Sequence, residues 1–200
     1  MRLIVILLFN CLLLNCVHNN GEEKQIAPKK PIQYFISSQL ANNKMVEYDI
    51  DTLKNFNEIV KILNETDCLH EYAIFKLETE NKIYKIQPLQ FCESIFDYKL
   101  RQILYLNADS ITVNYELKLP MDSLKLALTN HLLNPNKDRN YPFKDEKKLI
   151  SINVDSSKNI SKTRKLLLNV IEEINRLKNK PNFEFMFENR GIWPKTIVME

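Results

Sequence analysis

The sequence predicts an α+β or α/β fold, in which helices pack mainly on one face of a mixed β-sheet. Between residues 149 and 188 the hydrophobic period changes from two to that of a helix and back to two. A hairpin pattern covers residues 72–86, and apolar side chains recur at helical spacing in residues 51–64 and 121–133. Because 44% of the 200 residues are hydrophobic, the chain can form a sizeable core.

The strand–helix–strand pattern of residues 149–188 is the clearest in the chain. Residues 149–155 alternate between apolar and polar side chains, which is typical of a half-buried strand with Ser151 on its open face. An apolar stripe at helical spacing follows in residues 161–178, and Pro181 ends that pattern because proline cannot continue a helix. Residues 183–188 alternate again. Such a unit predicts two parallel strands joined by a right-handed crossover.

The amino-terminal half predicts two short strands, a helix and the hairpin. Residues 32–37 and 45–50 are the strand candidates. Asp51 and Thr52 offer side-chain oxygens that can cap a helix over residues 51–64. The hairpin follows with its turn at residues 79–81, and residues 91–102 are predicted to form a short helix.

The carboxy-terminal half begins with two strand-like runs, residues 104–110 and 111–117, which predict a short hairpin or a bent strand. Pro120 is expected in the first turn of helix 121–133, where proline is tolerated. Residues 134–142 form a polar loop. The predicted order from residue 103 onwards is therefore strand, strand, helix, strand, helix, strand.

The first sixteen residues have the composition of an export signal. Arg2 precedes an apolar run that is shorter than the ~20 residues needed to span a bilayer. The run ends at Leu13-Leu14-Asn15-Cys16, which resembles a bacterial lipobox and makes Cys16 the expected lipidation site. The alternative is an ordinary signal peptide that is cleaved nearby to release a soluble secreted product.

Composition divides the chain into four parts. Residues 1–16 are the signal and lipobox, and residues 17–31 form a polar tether that two prolines keep extended. Residues 32–102 form an amino-terminal α+β region, and residues 103–200 form a carboxy-terminal one. This organisation predicts an exported protein of the cell envelope, held by its lipid anchor in the periplasm or on the outer membrane.

Cys68 and Cys92 flank the hairpin and are the cysteines that remain after signal removal and lipidation. In an oxidising compartment they are expected to form a disulfide, worth ~3 kcal/mol in the chain-entropy model. Two buried free thiols are the alternative. A third interpretation adds His70 as a metal ligand, but no fourth ligand stands at zinc-site spacing, so neither a metal nor another cofactor is expected.

Three sequence segments in the carboxy-terminal half resemble segments of a known family. They are the passage from strand to helix at residues 111–128, the strand Ile150–Asp155 that ends in an acid, and the amphipathic run at residues 167–172. They resemble the periplasmic domain of the ExbD/TolR family over residues 103–188, which implies the strand and helix order given above. Residues 3–15 contain no acid, so the proton-coupling role of that family's membrane aspartate does not follow.

The expected function is a non-catalytic envelope module that binds a partner protein or the cell wall. Its candidate contact surfaces are a free sheet edge and the pair Arg190 and Trp193, since such pairs are frequent in binding hot spots. Exposed edges also allow a homodimer. The net charge of +3 is spread along the chain without a basic block, so no nucleic-acid partner is expected.

The alternative function is a small secreted hydrolase with a site near Asp67, His70 and Glu71. A solvated turn before a strand is the preferred explanation of that cluster, because no nucleophile or second base accompanies it. None of the common catalytic motifs occurs in the sequence, so the chain is not expected to be an enzyme. His131 is placed at a helix end, where a cation is favourable.

Overall fold

The computed structural model describes residues 29–36, 44–67, 70–90, 97–179 and 181–188. Within these ranges the helices are α1 (Phe56–Glu65), α2 (Leu124–Leu133) and α3 (Ile160–Arg176). The strands are β1 (Ile32–Phe35), β2 (Lys44–Asp49), β3 (Glu71–Glu78), β4 (Ile83–Ile86), β5 (Ile103–Leu106), β6 (Ser110–Val113), β7 (Leu117–Pro120), β8 (Leu149–Ile152) and β9 (Glu184–Phe187). The α+β class predicted from the sequence is confirmed.

The amino-terminal strands form a four-stranded mixed sheet in the order β1-β4-β3-β2. β3 and β4 pair antiparallel as the predicted hairpin, and the Thr79 N–H donates to the Lys82 carbonyl (2.9 Å) to close its turn. β1 pairs parallel with β4, and β2 pairs parallel with β3. Two strands that are consecutive in the chain therefore lie at opposite edges of the sheet.

The carboxy-terminal strands form a separate five-stranded sheet in the order β7-β6-β5-β8-β9. β6 is antiparallel to both β7 and β5, whereas β5, β8 and β9 run parallel. Leu149 of β8 is opposite Glu184 of β9. The strand–helix–strand unit therefore joins two neighbouring parallel strands, as expected from its sequence pattern.

One hydrophobic core joins the two sheets. Phe187 of β9 packs edge-on against Phe56 of α1 and Phe75 of β3, with ring centroids 6.3 and 5.5 Å apart. The same core includes buried residues of α2 and α3, such as Leu128 and Ile171. A smaller cluster on the other face of the five-stranded sheet takes no residue from the described helices. The three helices thus lie on one face of that sheet, as predicted.

The segment after β4 covers part of this other face. Leu89 packs with Leu149 and Met186, and its N–H donates to the Phe185 carbonyl (2.6 Å). Ser151, which the alternation places on an open face, is consequently only 1% exposed. Its hydroxyl donates to Glu188, a carboxyl whose pKa is raised by burial.

Helix α1 begins at Phe56 rather than at Asp51. The Asp49 carboxylate accepts the Asp51 N–H (3.0 Å), so residues 50–52 form a separate 3-10 turn. Leu53 and Asn55 are then extended, which interrupts the helical backbone before α1 starts. The predicted cap residue thus belongs to a turn, because the aspartate two positions earlier captures its N–H.

β7 is a strand that the sequence pattern did not separate from β6. Asn114 and Tyr115 adopt positive φ (48° and 65°), so the chain turns there instead of extending to residue 117. Asparagine tolerates this conformation, but a bulky tyrosine adopts it rarely. Pro120 ends β7, and a 3-10 turn at Met121–Ser123 precedes α2.

Two buried polar side chains hold the loop between α2 and β8. Asn134 caps α2 in the left-handed conformation (φ 41°), and its amide donates to the carbonyls of Asp138 and Pro142 (2.9 and 3.1 Å). Lys148 is 3% exposed, and burial lowers its pKa. Its ammonium donates to three carbonyls of the same loop (3.2, 2.9 and 2.8 Å). The loop therefore enters β8 in a fixed position.

His131 of α2 is buried and uncharged, which corrects the expectation of a cation at the helix end. It is 1% exposed, and neither ring nitrogen has a hydrogen-bond partner among the described residues. Burial lowers its pKa to about 3. The Leu149 backbone opposes this shift without reaching hydrogen-bonding geometry, and the charge of Lys148 adds to it. Desolvation outweighs the helix-terminal field here.

Candidate functional site

A polar cleft lies at the carboxyl ends of β5 and β8. These strands are parallel neighbours, but the chain leaves β5 towards β6 and leaves β8 through α3 towards β9. Connections that diverge in this way open a crevice, which is where open sheets bind ligands. The cleft has a volume of about 570 Å³. The described residues that line it are polar apart from one alanine: Asn107, Ala108, Asp109, Ser110, Asn153, Asp155, Ser156 and Lys158.

Two asparagines occupy neighbouring positions in this cleft. Leu106 is opposite Ile152, so Asn107 and Asn153 come next on the two strands. The Asn153 N–H donates to the Leu106 carbonyl (3.0 Å), which extends the ladder by one bond. The Asn107 N–H donates to the Ser110 carbonyl (2.9 Å). Both backbones are thereby fixed, so both side-chain amides extend from strand ends that hydrogen bonds hold in place.

Most side chains of the cleft are available to a ligand. Within the described ranges, the side chains of Asn107, Asp109, Ser110 and Asn153 form no hydrogen bond or ion pair. Asp155 differs, since its carboxylate accepts the Ser157 N–H (2.8 Å) and that bond lowers its pKa. The cleft therefore offers amides, hydroxyls and carboxylates that can donate or accept hydrogen bonds.

The structure brings Asp67 and His70 together but leaves them in solvent. Asp67 Oδ2 and His70 Nδ1 are 2.8 Å apart, and the two side chains are 63% and 76% exposed. Glu71 pairs with Lys44 (2.8 Å). Among the described residues, no three histidine, cysteine or acidic side chains are grouped to hold a metal ion. The cluster has the geometry of a solvated turn before β3.

β2 presents an edge that no described strand covers. The Lys44 N–H donates to the His70 carbonyl (3.0 Å). In a parallel ladder alternate residues bond to the same neighbour, so Val46 and Tyr48 also bond to β3. The backbone groups of Met45 and Glu47 therefore point to the free side. Met45 is also 48% exposed.

Ion pairs occupy the outer face of the same sheet. Lys76 lies 3.0 Å from Glu78, and hydrogen bonds to two carboxylates raise its pKa, with Glu78 the larger cause. Glu78 also accepts from Lys30 (2.8 Å), and these bonds hold its pKa at about 2. Lys85 pairs with Glu47. These charges compensate one another, whereas the exposed apolar side chains at the sheet edges remain in contact with water.

Several predicted site residues lie outside the described residues. They are the lipidation candidate Cys16, the disulfide candidates Cys68 and Cys92, and the contact candidates Arg190 and Trp193. The roles expected of these residues from the sequence stay predictions. In the part of the chain that is described, no helix has both the length and the apolar character needed to cross a bilayer.

No family model, curated protein or solved structure matches this chain. Function must therefore be inferred from its own residues and their geometry. The cleft residues were not among the predicted site residues, although each loop follows a recognisable strand. Polar residues directly after two strands were the available signal, but it becomes specific only once those strands are known to be parallel neighbours.

Proposed function

We propose that the protein is a non-catalytic binding module of the bacterial cell envelope, which binds an extended segment of a partner protein along β2. The observation that carries this proposal is the free edge of β2, which is six residues long and contains no proline. A strand of this length spans ~20 Å. Such edges accept a further strand through backbone hydrogen bonds.

β2 is better suited to strand addition than the other edges of the two sheets. β7 has four residues and contains Lys118 and Pro120, residue types that discourage edge pairing. β9 is partly occupied, because its Phe185 carbonyl accepts the Leu89 N–H. β1 also has only four residues. The longest free edge among the described strands is therefore that of β2.

The side chains of β2 define the pattern of the segment that fits. Tyr48 packs against the core, with its ring centroid 5.9 Å from that of Phe75, and strand alternation places Val46 on the same face; both side chains are half-buried. Apolar side chains added beside them would extend that surface, gaining about 25 cal/mol per Å² removed from water. On the other face, Glu47 is already paired with Lys85, so its charge does not select the residue opposite it. The expected occupant alternates apolar and polar residues.

Export and lipid anchoring belong to the same proposal. The signal-like residues 1–16 and the tether that follows support an anchored module, and the resemblance of residues 103–188 to the ExbD/TolR periplasmic domain supports an envelope location. Intact-mass measurement and detergent partitioning of the native protein test the anchor. Acylation is expected for the wild type and should be lost in Cys16→Ala; a water-soluble wild type without acyl mass contradicts it.

The partner-binding claim is tested by capture of envelope proteins with two variants at one position. Glu47→Pro removes an N–H that points to the free side, whereas Glu47→Ala removes the side chain and keeps the N–H. A partner that adds a strand should bind the wild type and Glu47→Ala. Proline removes one hydrogen bond and disturbs its neighbours, so binding by Glu47→Pro should weaken by about tenfold or more.

Tyr34→Pro on β1 is the matched control. The Phe35 carbonyl accepts the Gln87 N–H, so alternation places the Tyr34 N–H on the free side of the opposite edge. Thermal unfolding of each variant shows whether the sheet is still folded. Equal capture by wild type and Glu47→Pro contradicts the proposal. If Glu47→Pro has no effect and deletion of residues 189–200 abolishes capture, binding belongs to the Arg190 and Trp193 tail instead.

A further inference from the structure

The cleft at the ends of β5 and β8 is a second binding site, on the sheet that does not contain β2. We propose that it binds a small organic cation that carries a primary ammonium group beside hydroxyl groups, of the amino-sugar or amino-alcohol class. Rigid strand ends, an open volume of about 570 Å³ and side chains without partners converge at this one place. That volume is within the range of small-molecule sites.

The charges of the cleft favour a cation. The described part of its lining contains two aspartates and one lysine, so the carboxylates there outnumber the ammonium. Lys158 lies close enough to Asp155 for its charge to help lower the pKa of that carboxyl. Asp109 forms no ion pair with any residue that the structure describes. An incoming ammonium would therefore find one uncompensated carboxylate, and an anion would meet a site of the wrong sign.

The uncharged groups favour hydroxyl partners. Asn107 and Asn153 each present both a donor and an acceptor, and the Ser110 and Ser156 hydroxyls can do either. A ligand hydroxyl also both donates and accepts, so it can pair with any of these four side chains. Ala108 is the single apolar residue among the described residues of the lining, so an apolar ligand would bury little matching surface against them.

The test compares D-glucosamine with D-glucose on the full-length protein by amide chemical-shift titration. The two sugars share their ring and differ by one ammonium in place of a hydroxyl. Glucosamine is expected to shift residues 107–110 and 153–158 and to bind about tenfold more tightly than glucose, because a charge-assisted bond forms with Asp109. Added salt should weaken glucosamine binding more than glucose binding.

Three variants make the assignment specific. Asp109→Asn keeps the side-chain shape and should reduce glucosamine binding to the level of glucose. Lys158→Ala removes the competing ammonium and should strengthen glucosamine binding. Asp122→Asn removes an exposed aspartate from the turn before α2, outside the cleft, and should change nothing.

The proposal is overturned if glucosamine leaves the cleft residues unshifted or binds no more tightly than glucose. It is also overturned if Asp109→Asn binds glucosamine as the wild type does while remaining folded. Weaker glucosamine binding in Lys158→Ala would show that the Lys158 ammonium supports binding instead of competing with the ligand, which equally contradicts the proposal.

Discussion

Substitution of Phe187 tests whether the two sheets share one core, because its ring packs against residues of the amino-terminal half although it belongs to the carboxy-terminal half. It belongs to β9, yet its ring centroid lies 5.5 Å from Phe75 of β3 and 6.3 Å from Phe56 of α1. Phe187 is only 5% exposed. Phe187→Ala should therefore cost about 3–5 kcal/mol, the usual loss for a buried phenylalanine. The two ring pairs account for about 0.5–1.5 kcal/mol each within that loss.

Urea unfolding followed by circular dichroism measures this loss. A stability of roughly 5–15 kcal/mol is typical of a folded domain, so the variant should lose a large share of it. Both sheets should unfold in one transition, as expected of a single cooperative unit. Phe143→Ala is the control: this ring is 40% exposed beside Arg101 and should cost less than about 1 kcal/mol. A similarly small cost for Phe187→Ala, or two separate transitions, would refute the shared core.

Two further predictions concern the buried polar residues near the α2–β8 loop. Because burial lowers the pKa of His131 from 6.5 to about 3, the unfolded state takes up the extra proton, and stability should fall as the pH drops from about 6.5 towards 3. Urea titrations between about pH 6.5 and 5, above the usual range of carboxyl groups, should show a steeper loss of stability in the wild type than in His131→Leu; equal slopes contradict it. Asn134→Ala and Asn134→Gly both lose the amide bonds, but only alanine is disfavoured at φ 41°. Thermal unfolding should therefore show Asn134→Ala to be less stable than Asn134→Gly by about 1–2 kcal/mol, and equal losses contradict the left-handed cap.

Hydrophobic periodicity predicted most helices and strands, because an element that buries only one of its faces has a strong periodic pattern. α3 was expected at residues 161–178 and spans Ile160–Arg176, and its apolar stripe lies in the core. β8 and β9 were found as a parallel pair for the same reason. Where periodicity misplaced an element, local hydrogen bonds and backbone conformation determined the observed structure. The Asp49 carboxylate draws the chain into a turn before α1, and the left-handed residues Asn114 and Tyr115 separate β7 from β6.

The candidate sites depend on strand order, which periodicity does not contain. The sequence has β1 and β2 in succession, but nothing in their side chains indicates that they lie at opposite edges of one sheet. The free edge of β2 follows from that order. The cleft likewise forms because β5 and β8, far apart in the chain, become parallel neighbours and bring Asn107 beside Asn153. Long-range pairing, rather than local preference, creates both surfaces.

Amide hydrogen exchange along β2 of the full-length protein tests strand addition most directly. In the free protein the Met45 and Glu47 amides should exchange rapidly, and the Val46 and Tyr48 amides should be protected, because only the latter two bond to β3. Binding of a captured partner should then protect Met45 and Glu47. Protection of all four amides in the free protein would mean that the edge is already covered, and continued rapid exchange at Met45 and Glu47 in the complex would mean that the partner adds no strand; either result contradicts binding along β2.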